Sequence, residues 1–167
     1  MKKEIENKLS EFIRKESNLI FVLNKNATDS KSRAALLKLR HEVLAWLAEI
    51  GGGETITKPE DRAELDQLVH NAASEISHTA KINSQLVGFI EESMKTKDGW
   101  RDYERIVEDY GQLEALAQMR ASKAIKALDK FNKKINGKGF LNVIMCKFKK
   151  SKAQTSEKTS ESVEIEK

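Results

Sequence analysis

The sequence predicts an all-α protein: an antiparallel bundle of about four helices over residues 1–136, a short basic amphipathic segment over 137–152 and a disordered acidic tail over 153–167. Three observations predict it. Apolar residues return at three and four residue steps through most of the first 136 residues, which is the period of a helix face. With Gly 8 and Pro 1 in 167 residues, the chain has too few turn formers for the reversals of a sandwich or barrel. The lone Cys146 excludes a disulfide framework or a cysteine-based zinc site within one chain.

The first helix is expected from about Glu4 to Asn24, with Ile5, Leu9, Phe12, Ile13, Ile20 and Leu23 on one face. A polar stretch rich in turn and cap formers, Asn24 to Ser30, separates it from a second helix whose stripe is Leu36, Leu37, Val43, Leu44, Leu47 and Ile50. Gly51-Gly52-Gly53 ends that helix, since each Gly costs about 1 kcal/mol relative to Ala, and opens a flexible connection through Thr57. Pro59 suits a first helical turn, and Glu60 and Asp61 complement the positive end of the helix dipole.

The third helix gives the clearest signal. Leu65, Val69, Ala72, Ile76, Thr79, Asn83, Leu86 and Ile90 alternate four and three residue steps, the spacing of a seam against partner helices. Thr79 and Asn83 interrupt it, either as a buried polar layer that fixes register or as an exposed stretch between two contacts. Asp98-Gly99 breaks the pattern. A fourth helix then carries Tyr103, Ile106, Tyr110, Leu113, Ala117, Ala121, Ala124, Leu128, Phe131 and Ile135 on one stripe. One stripe per helix closes a core, as an antiparallel bundle or as an extended helical hairpin pair that completes itself by dimerising. Trp46, Tyr103 and Tyr110 fit the core, whereas Trp100 at the turn suits a surface contact.

The net charge of +4 conceals an asymmetry. Residues 1–119 carry 17 basic and 21 acidic side chains, residues 120–152 carry 11 basic side chains against Asp129 alone, and the tail returns to a net −2. Arg120, Lys123, Lys126, Lys130 and Lys134 form the basic face of the fourth helix. Beyond Gly137-Lys138-Gly139, a helical segment would gather Phe140, Leu141, Ile144, Met145 and Phe148 on one face. Lys147, Lys149, Lys150 and Lys152 around it could reach lipid phosphates, at roughly 1 kcal/mol each near an anionic surface. Cys146 within it is a candidate lipidation site. The bland alternative is a fifth helix docked on the bundle with its lysines solvated. Non-specific nucleic-acid binding through the basic face ranks lower, because no aromatics interleave with its lysines to stack bases.

The sequence offers no catalytic constellation. Glu75-x-x-His78 has the ligand spacing of dimetal bundles, but those need a second such pair, which the chain lacks. His41-Glu42 has no second His at zinc-protease spacing, and Gly51-Gly52-Gly53 lacks the Lys-Ser/Thr of a phosphate loop. No enzyme activity, cofactor or metal is expected. The start Met1-Lys2-Lys3 runs into Glu4 and Glu6 without an apolar core, and no apolar run reaches the roughly 18 residues of a spanning helix. A cytoplasmic location is expected, with membrane association or export without a cleaved signal as alternatives.

Two resemblances bear on function. Leu44-Ala45-Trp46-Leu47 and Asn83-Ser84-Gln85-Leu86-Val87 resemble the helical pattern of export chaperones for flagellar hook-associated proteins, over about half the chain, while the basic C-terminal third departs from it. The Ser, Thr and Glu composition from Ser151 to Lys167 resembles the C-terminal translocation signals of bacterial type IV secretion effectors. The leading expectation is a non-enzymatic helical adaptor or chaperone whose apolar stripes bind helices of a protein partner, with a homodimer as one form. The alternatives are a secreted effector or peripheral protein held to an anionic membrane by residues 140–152, and a non-specific nucleic-acid binder.

Overall fold

A computed structural model describes residues 3–96 and 99–136, the side chains of 99–101 excepted. The expectations for Phe140 to Lys152, for Cys146, for the tail and for the Trp100 side chain therefore lie outside the described residues. Within them the chain is all-helical, with α1 (Lys3–Lys25), α2 (Ser30–Ile50), α3 (Pro59–Ser93) and α4 (Gly99–Asn136), and no strand.

Local chemistry sets the ends. Asp29 caps α2, its carboxylate accepting from the Lys31 amide at 3.1 Å and from the Ser32 hydroxyl at 2.7 Å, which satisfies an otherwise orphaned donor of the first turn. Pro59 begins α3, with Glu60 and Asp61 in its first turn. The triple glycine is a built turn and not the loose connection its composition suggests. Gly51 closes α2 by donating to the Leu47 carbonyl at 3.1 Å, Gly52 takes φ 77°, and Gly53–Thr55 forms a single 3₁₀ turn. Ile56, just after it, is buried. Gly52 is required here: a Cβ would strain the left-handed backbone and lie 2.7 Å from Asn132 Oδ1.

The pairings give the directions of the helices. Phe12 meets Trp46 in a tilted ring contact with centroids 5.2 Å apart and Glu16 meets Arg40, so α1 and α2 are antiparallel. Lys134 reaches Glu64 at one end of the α3–α4 pair and Phe89 meets Tyr110 at the other, so these too are antiparallel. Ser77 bonds to Glu16, and Lys25 bonds to Glu91, so α1 runs parallel to α3. Helix α3 packs on each of the other three. Ile5, Leu9, Phe12 and Ile13 of α1, Leu39 to Ile50 of α2, Leu65 to Ile76 of α3 and Ala121 to Phe131 of α4 supply the core.

The third-helix seam is buried from Leu65 through Thr79, which donates to the Glu75 carbonyl at 2.8 Å; Asn83, Leu86 and Ile90 are only half-buried. The fourth-helix stripe divides more sharply. Ala117, Ala121, Leu128 and Phe131 are buried, but Tyr103 and Leu113 are exposed, because α2 supplies no buried residue before Leu39 and leaves the first half of α4 on α3 alone. Leu37, placed on the α2 stripe, is also exposed.

Candidate functional site

Helices α3 and α4 are 35 and 38 residues long, about 52 and 57 Å at 1.5 Å per residue, against about 35 and 32 Å for the 23 and 21 residues of α1 and α2. The surplus length is an arm in which the last turns of α3 and the first half of α4 pack mainly on each other. Along the inward row of α4, Leu128, Ile125, Ala121 and Ala117 are buried, Tyr110 is half-buried, and Val107 and Tyr103 rise to 37% and 40% exposure. The matching row of α3 passes from buried Ile76 and Ala80 to Val87 at 42% and Met94 at 71%. These side chains continue the core rows at helical spacing beyond the helices that cover them. Glu104, Glu108 and Glu114 lie along the open stretch, so its rim on α4 is acidic, whereas Glu91 on α3 is paired with Lys25 at 2.5 Å.

A polar layer lies where the core gives way to the arm. The Glu16 carboxylate is buried and accepts from the Arg40 Nε at 3.0 Å and the Ser77 hydroxyl at 2.9 Å. Ser84 is buried about two turns further along α3 and receives Asn24 Nδ2 at 3.5 Å, while Asn83 Oδ1 is buried without a hydrogen-bond partner. Glu16 takes a place on the α1 stripe between Ile13 and Ile20. That carboxylate on an apolar row was the readable signal, and residue-type patterning passes over it. Its partners Arg40 and Ser77 become legible only when α2 and α3 are set against α1.

A second concavity, of about 600 Å³, opens between α1 and α2. Lys8 lies over its floor, with Nζ 5.6 Å from the Trp46 ring centroid and 5.9 Å from that of Phe12. Glu11, Lys15, Glu42, Glu49 and Glu54 complete its wall. The Lys15 ammonium, 2.6 Å from Glu11, donates to that carboxyl and holds it below its ordinary 4.5. Two lysines thus stand against four carboxylates, and the wall of this shallow groove is net acidic.

Of the basic face, Arg120, Lys123, Lys126, Lys130 and Lys134 are all exposed, at spacings that keep them on the outward side of α4, and Lys134 pairs with Glu64 at 3.3 Å. The first half of the same helix is acidic: residues 99–119 hold Asp102, Glu104, Glu108, Asp109 and Glu114 against Arg101 and Arg105. His41, His70 and His78 are exposed, and the His70 Nδ1 sits 2.8 Å from the Asp66 carbonyl. Among the described residues no three His, Cys, Asp or Glu side chains come together as a metal site, and no helix is long and apolar enough to cross a membrane. No family model, curated protein or solved structure matches the chain.

Proposed function

We propose that this protein is a non-enzymatic helical adaptor: a helical bundle whose α3–α4 arm receives an amphipathic helix of a protein partner. The observation that carries this reading is the inward row of the arm, where Val87, Met94, Tyr103 and Val107 continue the core rows without the helices that cover them lower down. A guest helix laid there takes the place that α1 and α2 fill beside the core, with apolar anchors at three and four residue spacing. The acidic rim on α4, with Glu104, Glu108 and Glu114, selects a guest with Lys or Arg beside its apolar stripe. Interior polar groups such as Glu16 and Ser77 are engaged with each other, which supports a scaffold and not a reaction centre.

A fluorescent amphipathic peptide of Leu and Lys at helical spacing tests it by anisotropy. The wild-type chain binds it, and Val87→Asp with Val107→Asp weakens binding roughly tenfold or more, since each places a charge in the apolar contact. Equal binding by wild type and the double variant would refute the reading. So would equal binding of a Leu and Glu peptide, because the acidic rim would then have no part.

A further inference from the structure

The outward side of α4 carries a second row that neither the core nor the inward row of the arm uses. Asp102, Asp109, Leu116, Lys123 and Lys130 recur every seven residues on it, and all are exposed. Leu113 and Leu116 at 50% and Met119 at 47% exposure form its apolar centre. The charge is mainly acidic on one side of that centre, where Arg105 also lies and pairs with Asp102 at 3.6 Å, and basic on the other.

We infer that this row is the interface with a second copy of the chain, in which two α4 helices cross antiparallel about a two-fold axis at Leu116. In that arrangement positions equally distant from Leu116 face one another. Leu116 meets its own copy and Leu113 meets Met119, so the apolar patch covers itself. Asp109 faces Lys123 and Asp102 faces Lys130, twice each by symmetry. A parallel pairing would set Asp109 on Asp109 and Lys123 on Lys123, and like charges at such contacts are repulsive. The row is thus complementary to itself in one direction only, which selects a second copy as the occupant and fixes its orientation. The apolar centre is small and the flanking pairs are exposed, so the dimer is reversible and weakened by salt. This face is distinct from the inward row, and the inference holds whether or not that row takes a guest helix.

Light scattering of the full chain at about 100 µM, a concentration that populates even a micromolar complex, gives the mass of two 18.9 kDa chains. Asp109→Lys alone or Lys123→Asp alone weakens the dimer roughly tenfold, and both in one chain restore it, because each pair then forms with reversed sign. In a Cys146→Ser background, Leu116→Cys oxidises to a linked dimer. Asp109→Cys does not link to itself, the two sites lying about 21 Å apart along the axis, but it does link to a chain carrying Lys123→Cys. A monomer mass at every concentration overturns the inference, as does failure of the double reversal to restore the dimer. Self-linking through Asp109→Cys overturns the antiparallel register.

Discussion

Glu16 and Arg40 meet at 3.0 Å across the α1–α2 contact with unequal burial, the acid 1% exposed and the base 43%. The carboxylate has left water and depends on its two donors, whereas the guanidinium keeps much of its hydration. Burial without partners is the costly state, so the two residues are not equivalent in their contribution to stability.

Glu16→Ala therefore destabilises the fold by about 2 kcal/mol, from a lost buried acceptor, a small cavity and a stranded Ser77 hydroxyl. Arg40→Ala costs less, about 1 kcal/mol, since water replaces part of what it gave. Urea denaturation of both variants checks the order; an Arg40→Ala loss equal to or above that of Glu16→Ala would contradict the asymmetry.

Leucines of the same helix separate core from arm. Leu128→Ala, at a fully buried site, costs roughly 2–5 kcal/mol, whereas Leu113→Ala stays within about 0.5 kcal/mol of wild type. Thermal or urea melts read the difference directly. Amide hydrogen exchange adds a second reading, with slower exchange over Ala121–Phe131 than over Tyr103–Leu113.

Three glycines respond in opposite directions to one substitution. Gly88 and Gly111 lie inside α3 and α4 with nothing within 4 Å of where a methyl would sit, so Ala at either stabilises by about 0.5–1 kcal/mol through helix propensity. Gly52→Ala destabilises by more than about 1 kcal/mol, because φ 77° is unfavourable for Ala and the methyl meets Asn132. Melting temperatures that rise for the first two and fall for the third bear this out, and a neutral Gly52→Ala would not fit.

The cap of α2 contributes a pH-dependent part of the stability. The Ser32 hydroxyl donating to Asp29 holds that carboxyl below its ordinary 3.8. A depressed folded value means that the contribution is present above the ordinary pKa and is lost as pH falls through the folded one. Asp29→Asn keeps a good cap without this titration. The melting temperature of wild type relative to Asp29→Asn should accordingly fall between about pH 6 and pH 2, and a constant difference would show that the bond to Ser32 has no energetic weight.

Much of the helical layout was legible in the sequence because it is local. Asp29 at the end of a polar turn, Pro59 with two acids behind it, and apolar residues at three and four residue steps each act within one or two turns of the chain. The triple glycine was legible as a helix end but not as a docked turn: its shape depends on Asn132, which sends Nδ2 to the Ile50 carbonyl at 3.0 Å from a distant helix. The arm was legible least, since Tyr103 and Leu113 obey the same periodicity as Leu128.

The sequence by itself determined the helices, their ends and the division of α4 into an acidic and a basic half, since these are properties of neighbours along the chain. Only the tertiary structure decided which stripes become core. Burial depends on whether a second helix packs at the same height: the end of α1 reaches Glu91 of α3, but α2 buries nothing before Leu39, and the first half of α4 is left uncovered. The same apolar period is therefore interior at Leu128 and surface at Tyr103.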